Sequence, residues 1–119
     1  MAARHAGLSA ERWASFPRSQ QILMIANEMN RASKLFARAD RDRLRSGHER
    51  VLALANLTIE LTSSRSLRRE LLRFRDLVAQ QYVALEPDPA VHAAIFRALL
   101  QLDPAAWKQL PHVTGAARF

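Results

Sequence analysis

No proline falls between Pro17 and Pro87, and the only glycine in that interval is Gly47, so little in the middle of the chain interrupts helices. The prolines sit instead at the boundaries. Pro17 suits the first turn of a helix. In "EPDPA" and "DPAAW" an Asp able to cap stands directly before a Pro able to take the first helical position. Together with the apolar spacing, these marks predict an all-α chain. A short amphipathic turn opens at Ser9 and carries Trp13 and Phe16. Helices follow over about 17–38, 42–63, 66–85 and 89–101, and Asp103 and Pro104 open a short last one. Asp40 or Asp42 is placed to cap the helix at 42–63, and the Ser-rich "TSSRS" ends it while supplying cap hydroxyls for the next.

Three long helices joined by short loops pack most simply as antiparallel neighbours, with the fourth closing the group. The expected fold is an antiparallel helical bundle of four main helices plus short terminal helices. It forms one domain over 1–119, with 1–8 and 113–119 as loose termini. A chain of 119 residues, 49% hydrophobic, can fill such a core unaided. It has no cysteine, which excludes a disulfide frame and a thiolate zinc site. "MAARHAGLSAERW" lacks the apolar segment of a secretory signal, and no apolar run is long enough to span a bilayer. A cytoplasmic protein with no membrane partner is therefore expected.

Helical angles sort the polar residues of "QQILMIANEMNRASKLF". Ile22, Ile25, Ala26, Met29, Ala32, Ser33 and Phe36 share one arc. Asn27 lies opposite it, in solvent, and Asn30 lies at its rim. Glu28 falls beside a smaller strip of Met24 and Leu35, which allows a half-buried Glu against a partner; the favoured expectation is a surface Glu near Arg31. The helix at 42–63 is apolar over more than half its circumference, and the next two carry a second apolar strip. Spare strips in so short a chain point to a homo-oligomer, most simply a two-fold dimer, through Leu57, Leu61, Leu72, Val83, Phe96 and Leu100.

The net charge is +7, which favours polyanions. Only Lys34 and Lys108 are lysines, and such an arginine excess is also what a GC-rich genome produces by codon use. One arginine cluster is Arg38, Arg41, Arg43 and Arg45; the other is Arg65, Arg68, Arg69, Arg73 and Arg75 at the start of a helix. Cations there oppose the helix dipole, so helix stability does not select them. The intervening helix, roughly 33 Å long at 1.5 Å per residue, separates the clusters to opposite ends of the bundle.

His48 stands within an apolar arc between Leu44, Val51 and Ala55, the environment of a structural histidine. In "RDRLRSGH", Arg41 and Arg43 precede it with six and four residues between. Over these few residues the spacing resembles the Arg/His motif of HEPN-type ribonucleases, although Leu44 stands where that family usually has a polar residue. The resemblance implies an acid–base role for His48 on a ribose 2′-hydroxyl and charge stabilisation by Arg41 or Arg43. The histidines are isolated, no Glu-x-x-His pair occurs and no Gly-rich phosphate loop is present, so no metal site or cofactor is expected. The leading reading is a non-enzymatic helical-bundle interaction protein acting as a homo-oligomer. Its alternatives are a nucleic-acid module using the two Arg clusters (Arg65, Arg68, Arg69, Arg73; Arg41, Arg43, Arg45) and an Arg/His ribonuclease.

Overall fold

The computed structural model describes residues 9–103, so the short helix expected after Asp103 and the expected loose termini, 1–8 and 113–119, lie outside the described residues. Five α-helices follow in order: α1 (Ala10–Ala14), α2 (Arg18–Ala32), α3 (Arg41–Leu61), α4 (Arg65–Val83) and α5 (Pro89–Leu100). A 3-10 turn at Arg38–Asp40 leads into α3, and there is no strand among the described residues. The bundle is all-α, as the sequence predicts.

Local chemistry sets most of the boundaries. Ser9 Oγ accepts from Arg12 N–H at 3.2 Å and starts α1. Ser64 Oγ accepts from Leu67 N–H at 3.3 Å and starts α4. Asp88 Oδ1 accepts from Ala90 N–H at 2.8 Å, with Pro89 in the first turn of α5. Asp40 occupies the N-cap position of α3 without a side-chain cap bond.

The helix expected over 17–38 stops at Ala32. There the Ser33 hydroxyl donates to the Asn30 carbonyl, competing with the helical ladder, and its N–H reaches back to the last turn. The chain then bends and brings Phe36 edge-on to His92 of α5, ring centroids 5.2 Å apart. Burying Phe36 against another helix outweighs the few further helical bonds a straight continuation would add.

α3 is the central element. It packs against α1, α2 and α4, while α5 closes the bundle on α2 and α4. This explains the broad apolar stripes inside one chain and corrects part of the interface expectation. Leu57, Phe96 and Leu100 are 5%, 2% and 0% exposed. They are core residues, because α3 and α5 each have more than one neighbour to bury against. Leu72 is half-buried against the same core. Leu61 and Val83 remain exposed, at opposite ends of the antiparallel α3–α4 pair. A single spare strip running along the helices does not exist among the described residues.

α1 is too short to hold itself. Its anchor is Trp13, fully buried, whose Nε1–H donates to Thr58 Oγ1 at 2.9 Å. Thr58 in turn donates to the Leu54 carbonyl, and Gln21 Nε2 donates to the Trp13 carbonyl, both at 2.9 Å. The buried polar atoms of this corner thus partner one another.

Candidate functional site

Successive faces of α3 carry different chemistry. Arg41, Leu44, Arg45 and His48 lie at one-turn spacing and face the end of α4, and Arg43, Ser46 and Arg50 face the end of α2.

On the α4 side, α3 lends its arginines to a helix with no basic residue in its own last turn. Arg45 Nη1 donates to the Tyr82 carbonyl at 3.3 Å, with the guanidinium 4.6 Å from the centre of the Tyr82 ring. Arg41 Nη1 donates to the Leu85 carbonyl at 2.8 Å, and its Nη2 lies 3.7 Å from Glu86. Arg38 approaches Glu86 at 4.0 Å. Cations thus meet the negative end of the α4 dipole, and part of the first Arg cluster is accounted for structurally. Tyr82 Oη–H donates to Glu49 at 2.6 Å, and that bond pushes the phenol pKa upward.

Between these elements lies a pocket of about 220 Å³ lined by Arg41, Leu44, Arg45, His48, Gln81, Tyr82, Val83, Ala84, Leu85 and Pro87. His48 is 1% exposed. Its ring sits 5.8 Å from that of His92, whose Nε2–H donates to the Met29 carbonyl at 2.8 Å. Burial, with His92 alongside, lowers the His48 pKa to about 4, and burial lowers that of His92 despite its bond to Met29. Both imidazoles are neutral at physiological pH. The expected core position of His48 is observed, but the expected ring hydrogen bond is missing at Nε2. That atom and Arg41 Nε are the buried side-chain nitrogens without a hydrogen-bond partner among the described residues. Both belong to residues lining this pocket.

Arg43 does not join Arg41. It turns to Asp40 at 3.3 Å and borders an open groove of about 470 Å³ with Arg31, Lys34, Leu35, Asp42, Ser46 and Arg50. Four cations line this groove, Arg31 from α2, Lys34 from the turn after it, and Arg43 and Arg50 from α3. Their convergence was hidden because the Arg31/Lys34 and Arg43/Arg50 pairs lie on different segments of the chain; the legible signal was the i, i+3 and i, i+7 spacing within each pair. Glu28 is corrected from a surface residue to a half-buried one. Its side chain is 17% exposed and accepts from Arg50 Nε at 3.0 Å, with Arg31 farther away at 3.7 Å.

At the opposite end, Arg73 pairs with Glu70 and Arg75 with Asp76. Arg65, Arg68 and Arg69 are exposed, with no ion pair to any described residue. No group of three or more acidic, His or Cys side chains among the described residues is placed to hold a metal ion. No described helix is long and apolar enough to cross a membrane. No known family model, curated protein or solved structure matches this chain.

Proposed function

We propose that this chain is a cytoplasmic, non-enzymatic interaction protein that pairs with a second copy of itself through the end of the bundle where α4 passes into α5. One observation carries this reading. Val83, Leu85 and Val91, exposed by 71%, 90% and 40%, cluster within one short stretch around the α4–α5 loop. The same end presents Arg38, Arg41 and Arg45 beside Glu49 and Glu86. A two-fold contact sets a patch against itself, so it needs both signs of charge around an apolar centre, and this patch has them. Light scattering coupled to size exclusion tests the pairing: twice the chain mass is expected, and the chain mass at every concentration rejects it.

A second reading, nucleic-acid binding, is favoured by Arg65, Arg68 and Arg69, which helix stability does not explain and no described carboxylate neutralises. If they bind a polyanion, changing the three to Gln weakens binding to a duplex or single strand and flattens the dependence of log affinity on log salt. Unchanged affinity and slope remove them from such a site. A wild-type chain that binds no nucleic acid at about 50 mM salt rejects this reading.

A further inference from the structure

We propose that the open groove between the end of α2 and the first half of α3 binds a chain of linked phosphates, as carried by a nucleoside triphosphate or by free polyphosphate. Neither reading of the chain's function requires this. The groove, about 470 Å³, is lined by Arg31, Lys34, Arg43 and Arg50 against one carboxylate, Asp42, and the Ser46 hydroxyl adds a neutral donor. Its own lining thus carries a surplus of three positive charges, and a surplus of one remains when Glu28 and Asp40, which pair with the arginines from outside the lining, are counted.

The donors are within a ligand's reach. The side chains of Arg31, Arg43 and Arg50 are 64%, 74% and 35% exposed, and Lys34 and Ser46 are exposed as well. Glu28 is the recessed member: one oxygen accepts from Arg50 Nε–H at 3.0 Å and the other lies 3.7 Å from Arg31, so a single carboxylate ties the α2 and α3 cations together. That bond leaves the terminal nitrogens of Arg50 without a hydrogen bond to any described residue. Lys34 has no ion pair to any described residue. Spacing then selects the ligand. Arg43 and Arg50 are seven residues apart on α3, about 10 Å at 1.5 Å per residue. Their heads are held apart, because Arg43 turns back to Asp40 at the start of the helix while Arg50 turns across to Glu28 of α2. A single phosphate cannot meet both; several in a row can. Guanidinium forks take phosphate oxygens two at a time, and the Lys34 ammonium supplies a point charge.

Tripolyphosphate, ATP, orthophosphate and a single-stranded oligonucleotide, each titrated without divalent metal into isotopically labelled chain at about 100 mM salt, test the proposal by the NMR signals of the Lys34 amide and Arg50 Nε–H. Tripolyphosphate is expected to shift both saturably at sub-millimolar concentration, at least about tenfold more tightly than orthophosphate. ATP within about tenfold of tripolyphosphate assigns the groove to a nucleotide, and weaker ATP assigns it to free polyphosphate; linked phosphates are the ligand in both cases. Lys34→Gln removes an exposed cation outside any helix and should weaken tripolyphosphate about threefold or more. Arg12→Gln removes the same charge from α1, which packs at the Thr58 end of α3, and should change the affinity by less than about twofold. No saturable shift, or orthophosphate as tight as tripolyphosphate, overturns the proposal. Equal effects of the two variants do so too, because binding then does not depend on the groove. An oligonucleotide that shifts the same two signals more tightly than tripolyphosphate overturns it in favour of a nucleic-acid surface.

Discussion

At the residue scale, His48 and Thr58 are polar groups that the core has to accommodate, and it does so in different ways. Thr58 is satisfied: it accepts from Trp13 and donates to Leu54. Thr58→Val leaves the Trp13 Nε1–H buried and unpaired and should cost about 1–3 kcal/mol in urea unfolding, while Thr58→Ser, which keeps the hydroxyl, should cost less. His48 is accommodated by staying neutral. Its folded pKa of about 4 lies below the ordinary 6.5, so above pH 6.5 folded and unfolded chains carry the same proton count at this site. As pH falls from 6.5 towards 4 the unfolded chain takes up a proton that the folded chain refuses, and stability drops by about 1.4 kcal/mol per pH unit. His92, also lowered, adds to the fall. Urea midpoints at pH 7.5 and 5 measure it, and His48→Gln should make the loss shallower; an unchanged slope would show that His48 does not titrate in this way. An imidazole of this kind suits a donor or packing role better than acid–base chemistry on RNA at neutral pH.

At the scale of elements, caps and tertiary contacts divide the work. The starts of α4 and α5 were legible because Ser64 and Asp88 act within three residues of themselves. The end of α2 was not, because Phe36 is drawn out of the helical path by His92, far away in sequence. Gly47 shows the same division. It lies inside α3 and is buried, yet a Cβ there would meet Ala32 Cβ at 3.5 Å, an ordinary contact. The close approach of α2 therefore tolerates a methyl group. Gly47→Ala should raise stability by about 0.5–1 kcal/mol through helix propensity and a less flexible unfolded chain. A lower melting temperature for that variant would show that the methyl group is not accommodated against Ala32.

For the whole molecule, the arrangement around α3 decides which apolar surface is left for partners. Leu57, Phe96 and Leu100 are sealed inside, and the exposed apolar side chains concentrate at Val83, Leu85 and Val91. Changing Val83 and Leu85 together to Gln should convert a dimer to the chain mass while altering stability by under about 1 kcal/mol, since both side chains already stand in water and Gln adds no charge at the end of α4. A variant that keeps the dimer mass moves the contact elsewhere. By itself the sequence determined the helical class, the number of main helices, most of their starts and the interior position of His48, because periodicity, capping and proline placement act over a few residues. Only the tertiary structure decided which neighbours the opposed Arg41 and Arg43 meet, that Arg31, Lys34, Arg43 and Arg50 form one groove, and that Glu28 turns inward to Arg50. The spacing within one helix says which residues share a face; which neighbour that face meets depends on how the helices pack, and packing is a property of all of them together.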